Sequence, residues 1–259
     1  MTRLVWTTTR FLRVGQYQIP YPENLSSQGR WKAGIRFDSE QSRFFSPILW
    51  PLVKLRDDLF VDGFVHWVSG RWVRDLVRFD TTFLEIGCGD MSLSKYLPDS
   101  VCYNAFDLSV SEFHLKRLLH HRRSANIAVA SATNIPLPSS VASLIVATQV
   151  LEYIPEVDRA LSEIHRVGMS GAKFVCSIAN GFCDKYRIKG SHSGHHNRWT
   201  YRSFDDLMRS HDFTLVNGEM RGVWIPLPPS LVDSSFALPI RAHRETHNTH
   251  FFFVYEVEK

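Results

Sequence analysis

From Thr81 onward the chain alternates between two periods. Short apolar blocks, "TFLEIG", "VCYNAF", "NIAVA", "SLIVAT" and "KFVCSIA", have the length and the β-branched or aromatic content of buried strands. Between them lie stretches with apolar residues three and four apart, which predict helices. "MSLSKYL" is expected to open a helix after the first strand. "SVSEFHLKRLLHHRR" is expected to form one with a capping box from Ser109 to Glu112, and "EVDRALSEIHRVG" one that stops at Gly168. A further helix, "YRSFDDLMRSH", precedes a strand "FTLVNGEM", a Pro-rich loop "IPLPPS" and a terminal strand "HFFFVYEVEK". Strands and helices in this order call for an α/β fold whose parallel sheet is joined by right-handed crossovers. The last two strands lack a clear crossover helix, so an antiparallel pair is expected at the sheet edge.

The first 80 residues read differently. Up to about residue 45 they are irregular and aromatic-rich, with Pro20, Pro22, Gly29 and Gly34 breaking any period. From Pro47 to Phe79 a helical pattern sets Phe64, Trp67, Val68, Trp72, Leu76 and Phe79 on one broad face. Two readings compete for this stretch: a lid or helix pair on the substrate side, or a plain cover for a sheet edge. The expected division is an N-terminal segment, 1–80, and a ligand-binding domain, 81–259.

Composition narrows the function classes. With 259 residues, 44% of them hydrophobic, the chain can bury a full core as one large domain or one with an appendage. Residues 1–80 carry 12 Lys/Arg against 8 Asp/Glu, and the remainder holds 18 of each. A segment of such mixed sign reads as a solvated surface; a nucleic-acid platform would show a denser basic stripe, so that partner is disfavoured. Cys88, Cys102, Cys176 and Cys183 form no CxxC pair and read as buried, reduced thiols of a cytoplasmic protein. "MTRLVWTTTRFLRVG" has no continuous apolar core of the kind a signal peptide needs. Stretches such as "SLIVATQVL" and "FFFVYEV" are too short and too polar to span a bilayer.

Ligands of an open parallel sheet bind beyond the carboxyl ends of its strands. Three such ends carry chemistry here. Glu85, Gly87 and Gly89 sit where the first strand turns, and the glycines let the backbone approach a ligand closely. Asp107, 22 residues after Glu85 and followed by Leu108, ends the second strand, where a carboxylate accepts hydrogen bonds from ribose hydroxyls. Ser131, Ala132 and Thr133 follow the third strand and could meet an adenine edge. A lone GxG is weak evidence; with a strand before it, a helix after it and an acid at this distance it becomes good evidence. The competing role for Asp107 is a charge interacting with the next helix dipole.

The segments "FLEIGCGDMSLSKYL", "FDLS", "SATNIPLPSSVASLIVATQVLEYIPEVDRALSEIHRVGMSGAKFVCSIAN" and "GHHNRWTYRSFDDLMRSHDF" resemble class I S-adenosylmethionine-dependent methyltransferases of the type 11-like group. The resemblance spans about residues 81–220 and leaves the first 80 uncovered. It implies a Rossmann-like seven-stranded, mostly parallel sheet with an antiparallel last strand, S-adenosylmethionine as cofactor, and methyl transfer. It further implies that Glu85, Gly87 and Gly89 line the methionine part of the cofactor, that Asp107 holds the ribose, and that Gln149 lines the methyl-transfer centre. Ser131 stands where the family usually has an Asp for the adenine amino group. Ser143 replaces an acid common at the start of the fourth strand, and Tyr153 replaces the usual His after "LE".

Methyl transfer from a sulfonium requires alignment and exclusion of water, and positioning alone is worth about 7–11 kcal/mol. A hydroxyl or protonated amine acceptor also needs a base. "SHSGHHNRWTY" offers His195 as general base or substrate anchor, with Tyr153 as a further candidate. The competing roles for His195 are a structural or solvent-facing loop residue or, with His192 and His196, a metal ligand. No nearby Asp, Glu or Cys completes a tetrahedral set, so no metal is expected. The expected reaction is methylation of an O or N atom of a small-molecule acceptor. The alternatives are methylation of RNA or protein and a non-catalytic, methyltransferase-like partner subunit.

Overall fold

The computed structural model describes residues 4–6, 10–14, 17–21, 63–122, 124–190, 194–224 and 237–259. Two short strands, β1 (Arg10–Val14) and β2 (Tyr17–Tyr21), form a separate antiparallel hairpin. The main sheet holds β3 (Phe83–Ile86), β4 (Tyr103–Asp107), β5 (Ala125–Val129), β6 (Ala142–Thr148), β7 (Gly168–Ala179), β8 (Phe213–Trp224), β9 (Ala237–Leu238) and β10 (Asn248–Val257). Its spatial order is β5-β4-β3-β6-β7-β10-β8-β9. The five strands from β5 to β7 pair in parallel, and β10 runs antiparallel between β7 and β8. The Rossmann-like reading therefore holds, with one addition: the two residues of β9 extend the expected seven strands to eight.

Helices α1 (Gly63–Leu76), α2 (Glu112–His121), α3 (Val157–Val167), α4 (Asp184–Lys189) and α5 (Tyr201–Arg209) complete the described chain. The pleat sends alternate residues to opposite faces. Leu84, Ile86, Phe106, Ile145, Phe174, Phe251, Phe253 and Tyr255 share a core with Leu161 and Ile164 of α3 and Phe204 and Met208 of α5. Phe83, Tyr103, Leu144, Val146, Val175 and Val254 share the opposite one with Val73 of α1 and Leu115 and Leu118 of α2. Phe64, Val65 and Val68 of α1 add a third cluster on Phe252.

Several local expectations are corrected. "MSLSKYL" forms a five-residue 3-10 turn, Ser92–Tyr96, in place of an α-helix. Met91 before it is buried and left-handed at φ 61°, which is the conformation a third glycine would supply. No Ser109–Glu112 capping box forms: Ser111 occupies the N-cap without a side-chain bond, and the Ser109 N–H donates instead to Asp107 Oδ1. Gly168 is not left-handed (φ −64°), because the chain passes from α3 straight into β7. In α1, Phe64 and Val68 are buried, but Trp67 is 43% and Phe79 89% exposed. Trp67 lies about 100° around the helix from its buried neighbour Val68 and carries Arg71 over its ring at 5.1 Å. Phe79 lies beyond the last helical turn.

The described N-terminal residues straddle the edge strand β5. Leu4 and Trp6 pack in the first core and Ile19 in the second. The Leu4 N–H donates to Asn104 Oδ1 (2.9 Å), the Trp6 indole N–H to Asn126 Oδ1 (2.9 Å), and Asn126 Nδ2 to the Leu4 carbonyl (2.7 Å). Two buried asparagines are thereby satisfied by a segment about 100 residues away in sequence.

Candidate functional site

The glycine loop is held from both sides. Gly87 and Cys88 donate their N–H groups to the Phe106 carbonyl at 2.9 and 3.1 Å. Gly87 has φ 67°, and a Cβ there would come within 2.4 Å of Val150 Cγ2. Gly89 has φ 44°, and a Cβ there would meet no protein atom within 4 Å. The first glycine is thus required by packing against the β6 end; the second faces open space.

Asp107 ties this loop to the end of β4. Its Oδ2 accepts from the Gly89 N–H at 3.0 Å and its Oδ1 from the Ser109 N–H at 3.2 Å. Burial raises its pKa, and the backbone donors of Gly89, Ser109 and Leu108 partly offset that. Each oxygen retains acceptor capacity for a further hydroxyl. Leu108 beside it is 37% exposed. Glu85 differs: it is buried, accepts from Tyr103 Oη at 2.5 Å, and is pushed up to about 8 by desolvation, with Asp90 and Asp107 adding to the rise. Asp90 is pulled the other way. Burial raises it, but hydrogen bonds from Ser92 and the charges of His66 and Arg117 outweigh burial.

At the β5 end, Ser131 Oγ pairs with Thr133 Oγ1 at 2.8 Å and accepts from the Thr133 N–H at 3.2 Å. Its hydroxyl is committed to a local turn, and Ala132 is buried. Ser143 is distant from these residues; its hydroxyl accepts from the Thr82 N–H at the amino end of β6.

A second cluster sits beyond β6, β7 and β10. Gln149 is left-handed (φ 53°), and its Nε2 lies 2.6 Å from His250 Nε2. His250 opposes Ala179, the last residue of β7. Burial, then Lys185 and His195, lowers its pKa to about 3. Tyr153 meets His195 edge-to-face at 4.8 Å, and Tyr186 does so at 5.9 Å. Under them Glu152 is buried; its carbonyl accepts from the N–H groups of His196 and Asn197, and its Oε1 from the Ala179 N–H at 2.8 Å. Desolvation pushes it up to about 7.

The predicted residues therefore fall into three groups: Glu85, Gly87, Gly89, Asp107 and Leu108 at β3 and β4, Ser131, Ala132 and Thr133 after β5, and Gln149, Tyr153 and His195 at β6 and β7. His192 lies outside the described residues. Among those described, no group of three His, Cys, Asp or Glu could hold a metal ion. All four cysteines are free and buried. His250 and Glu152 escaped the sequence reading: one stands in a strand, and the other is the acid of "LEY", where attention fell on the departure at Tyr153. A cleft of about 370 Å³ lies at the opposite ends of β3 and β6, lined by Arg78, Asp80, Thr81, Ser143 and Lys173 among others. It contains none of the predicted site residues.

Residues 84–176 match the family model of a methyltransferase domain. A 109-residue stretch is 26% identical to the mitochondrial arginine-hydroxylase NDUFAF5 of Rattus norvegicus, covering 42% of this chain and 32% of that one. The match thus spans about a third of that relative's length. Among solved structures, a chain from the complex of the Haloferax volcanii Trm112 methyltransferase activator with a methyltransferase aligns at TM-score 0.58 and 14% identity, over 76% of this chain and 92% of that one. A Thermotoga maritima SAM-dependent methyltransferase aligns at 0.55 and 18%, over 86% and 97%. The Burkholderia thailandensis 1,6-didemethyltoxoflavin-N1-methyltransferase, solved with its substrate and S-adenosylhomocysteine, aligns at 0.56 and 11%, over 75% and 79%. At these identities the likeness is one of fold. No helix among the described residues is long and apolar enough to cross a membrane.

Proposed function

We propose, from the premise that this chain carries a class I S-adenosylmethionine-dependent methyltransferase domain, that it moves a methyl group to an O or N atom of a small-molecule acceptor. The observation that carries the reading is the clasp between Gly89 and the Asp107 carboxylate at the carboxyl ends of β3 and β4. The residues fit the cofactor: Gly89 faces open space that a side chain would fill, and Asp107 has acceptor capacity left for ribose hydroxyls. Ala132 and Thr133 would flank the adenine. When bound, S-adenosylmethionine supplies an activated methyl on a sulfonium sulfur.

In this reading residues 81–259 form the cofactor-binding domain, residues 1–80 are a separate N-terminal segment, and α1 of that segment rests on the sheet. His195 takes the proton from the acceptor O–H or N–H, and Tyr153 holds the imidazole edge-on. Calorimetry with S-adenosylmethionine and S-adenosylhomocysteine tests the cofactor assignment directly: micromolar binding of both is expected, and no binding of either would end it. A second reading, a non-catalytic partner subunit, is favoured by one observation: Ser131 spends its hydroxyl on Thr133 and brings no charge to the adenine. It predicts weak or absent binding of either cofactor and no methylation of phenols, alcohols or amines.

A further inference from the structure

Two segments of the chain meet beyond the carboxyl end of β7. One, residues 180–200, joins β7 to α5; the other, residues 239–247, joins β9 to β10. Asn180 Nδ2 donates to the Glu245 carbonyl at 3.0 Å, and Asp184 Oδ2 lies 3.4 Å from His247 Nε2. The Tyr201 N–H, at the start of α5, donates to Glu245 Oε1 at 3.0 Å. Within the first segment Tyr186 meets the His195 ring at 5.9 Å, and the Arg198 guanidinium lies 5.5 Å from the Phe182 ring centroid. The two segments therefore form one surface, and His195 belongs to it.

The charge of this surface is one-sided. The two segments hold six Lys/Arg and two Asp/Glu, whereas the rest of residues 81–259 holds 12 and 16. Sequence order hides the excess, because α5 and β8 lie between the segments. Both acids are occupied: Asp184 pairs with Arg187 at 3.0 Å and with His247, and Glu245 accepts from Tyr201. Among the described residues no carboxylate lies within ion-pair distance of Arg198, Arg241 or Arg244, and all three are exposed. The positive field extends inward, since the charge of Arg241 acts on Tyr201 and that of Lys185 on His250. Apolar side chains stand among the cations: Phe182 is 49%, Ile188 65% and Ile240 52% exposed.

Building on the methyltransferase reading, we propose that the acceptor is an aryl or acyl anion, whose carboxylate or phosphate is held by the arginines of this surface, Arg198 and Arg241 first, while its O–H or N–H reaches His195. A guanidinium presents paired, coplanar donors that match either anionic group. The patch as a whole draws such a molecule toward the carboxyl end of the sheet, and the exposed apolar side chains cover its uncharged body. A nucleic acid matches less of the molecule. An extended polyanion would also lie along the remainder of the domain, where acids outnumber bases.

The test uses the full chain saturated with S-adenosylhomocysteine and four probes: 4-hydroxybenzoate, 4-hydroxyphenyl phosphate, phenol and a short oligouridylate. At low salt at least one small anion is expected to bind wild type about tenfold or more tighter than phenol. The preferred anion tells carboxylate from phosphate. Its log–log dependence on salt should be no steeper than about −2. Arg198→Gln and Arg241→Gln should each weaken it about three- to fivefold, while phenol and S-adenosylhomocysteine change by less than about twofold. Arg198→Lys should recover part of the loss. Arg78→Gln, in the cleft at the opposite strand ends, should change none of these affinities. No binding of either anion, binding no tighter than phenol, or a preference that survives both glutamine variants would each overturn the proposal. Oligouridylate that binds tighter than both small anions, with a slope of about −3 or steeper, would overturn it in favour of nucleic acid. Wild type alone decides the preference for charge, even where a variant fails to fold. A wild type that does not bind S-adenosylhomocysteine sinks the methyltransferase reading itself; one that binds it without preferring anions sinks this proposal alone.

Discussion

The two halves of the sheet's carboxyl edge are built on different principles. At β3 and β4 the chemistry lies in contiguous runs, and the backbone does most of the holding: Gly87 and Cys88 donate to Phe106, and Gly89 and Ser109 donate to Asp107. At β6, β7 and β10 side chains hold side chains across long gaps, with Gln149 on His250 and Tyr153 on His195. A turn shaped by glycine and one carboxylate suits a cofactor of fixed structure. A cluster of rings and one amide can be altered residue by residue to suit an acceptor. The difference predicts that substitution of His195 in the second half alters rate, and that substitutions in the first alter cofactor affinity or folding.

The largest effect should come from His195→Ala. If His195 is the base, turnover at saturating S-adenosylmethionine should fall about 100-fold or more, while calorimetric cofactor affinity stays within about twofold of wild type. Release of S-adenosylhomocysteine from a panel of phenols and amines supplies the rate. Unchanged turnover would remove His195 from the chemistry and erase the proposed contrast.

Asp107→Ala comes next and should act in the opposite column. Loss of charge-assisted acceptors, at about 1.5–3 kcal/mol, corresponds to about 10- to 100-fold in the cofactor Kd. Calorimetry checks it, and an unchanged Kd would mean that Asp107 serves only as a strap on the Gly89 loop.

The same contrast explains what could be read from sequence. The succession of strands and helices was legible, and so was the juxtaposition of glycine turn and acid at β3 and β4, because strand, turn and acid occur together and each constrains backbone shape. Even there, local detail slipped: the Ser92–Tyr96 turn is too short for the helix its pattern suggested, and Ser109 serves Asp107 instead of capping α2. The cluster at β6, β7 and β10 was only half legible. His195 and Tyr153 stand in or beside motifs, whereas His250 reaches Gln149 because β10 is inserted between β7 and β8. Nothing in one histidine at the start of an apolar strand announces a partner 101 residues earlier. Trp67 and Phe79 mislead for a related reason: apolar character along a helix does not say where the covering face stops.

Gly87 and Gly89 divide the cofactor half further. Gly87→Ala must adopt φ 67° and push Val150 aside, so it should cost about 2–4 kcal/mol in denaturant unfolding. Gly89→Ala meets no protein atom and should cost only about 1–2 kcal/mol of backbone strain. Its methyl should instead occupy cofactor space and weaken binding about tenfold. Equal cofactor affinity in Gly89→Ala and wild type would show that the open side of the loop is not the cradle.

The smallest expected effect sets the halves against each other by pH. Glu85 is raised from 4.5 to about 8, so the fold favours its protonated form. Its contribution to stability is complete below about pH 4.5 and is lost as pH rises through about 8. His250 is lowered from 6.5 to about 3, so the fold favours its neutral form. Its contribution is present above about pH 6.5 and is lost as pH falls through about 3. Glu152, raised to about 7, adds a slope of the same sign as Glu85 in every variant and cancels from the comparison. Glu85→Gln should therefore flatten the fall in Tm from about pH 5 to about pH 8.5 by a few degrees and leave the acid side unchanged. His250→Phe should flatten the acid side between about pH 6.5 and pH 4 and leave the alkaline side unchanged. Held by this loop as proposed, S-adenosylmethionine would bring a cationic sulfur near Glu85, so saturating cofactor should reduce the alkaline slope of the wild type but not that of Glu85→Gln. Melting curves across this range, with and without cofactor, decide the matter. Identical slopes in the two variants would mean that neither buried group titrates as its half of the site requires.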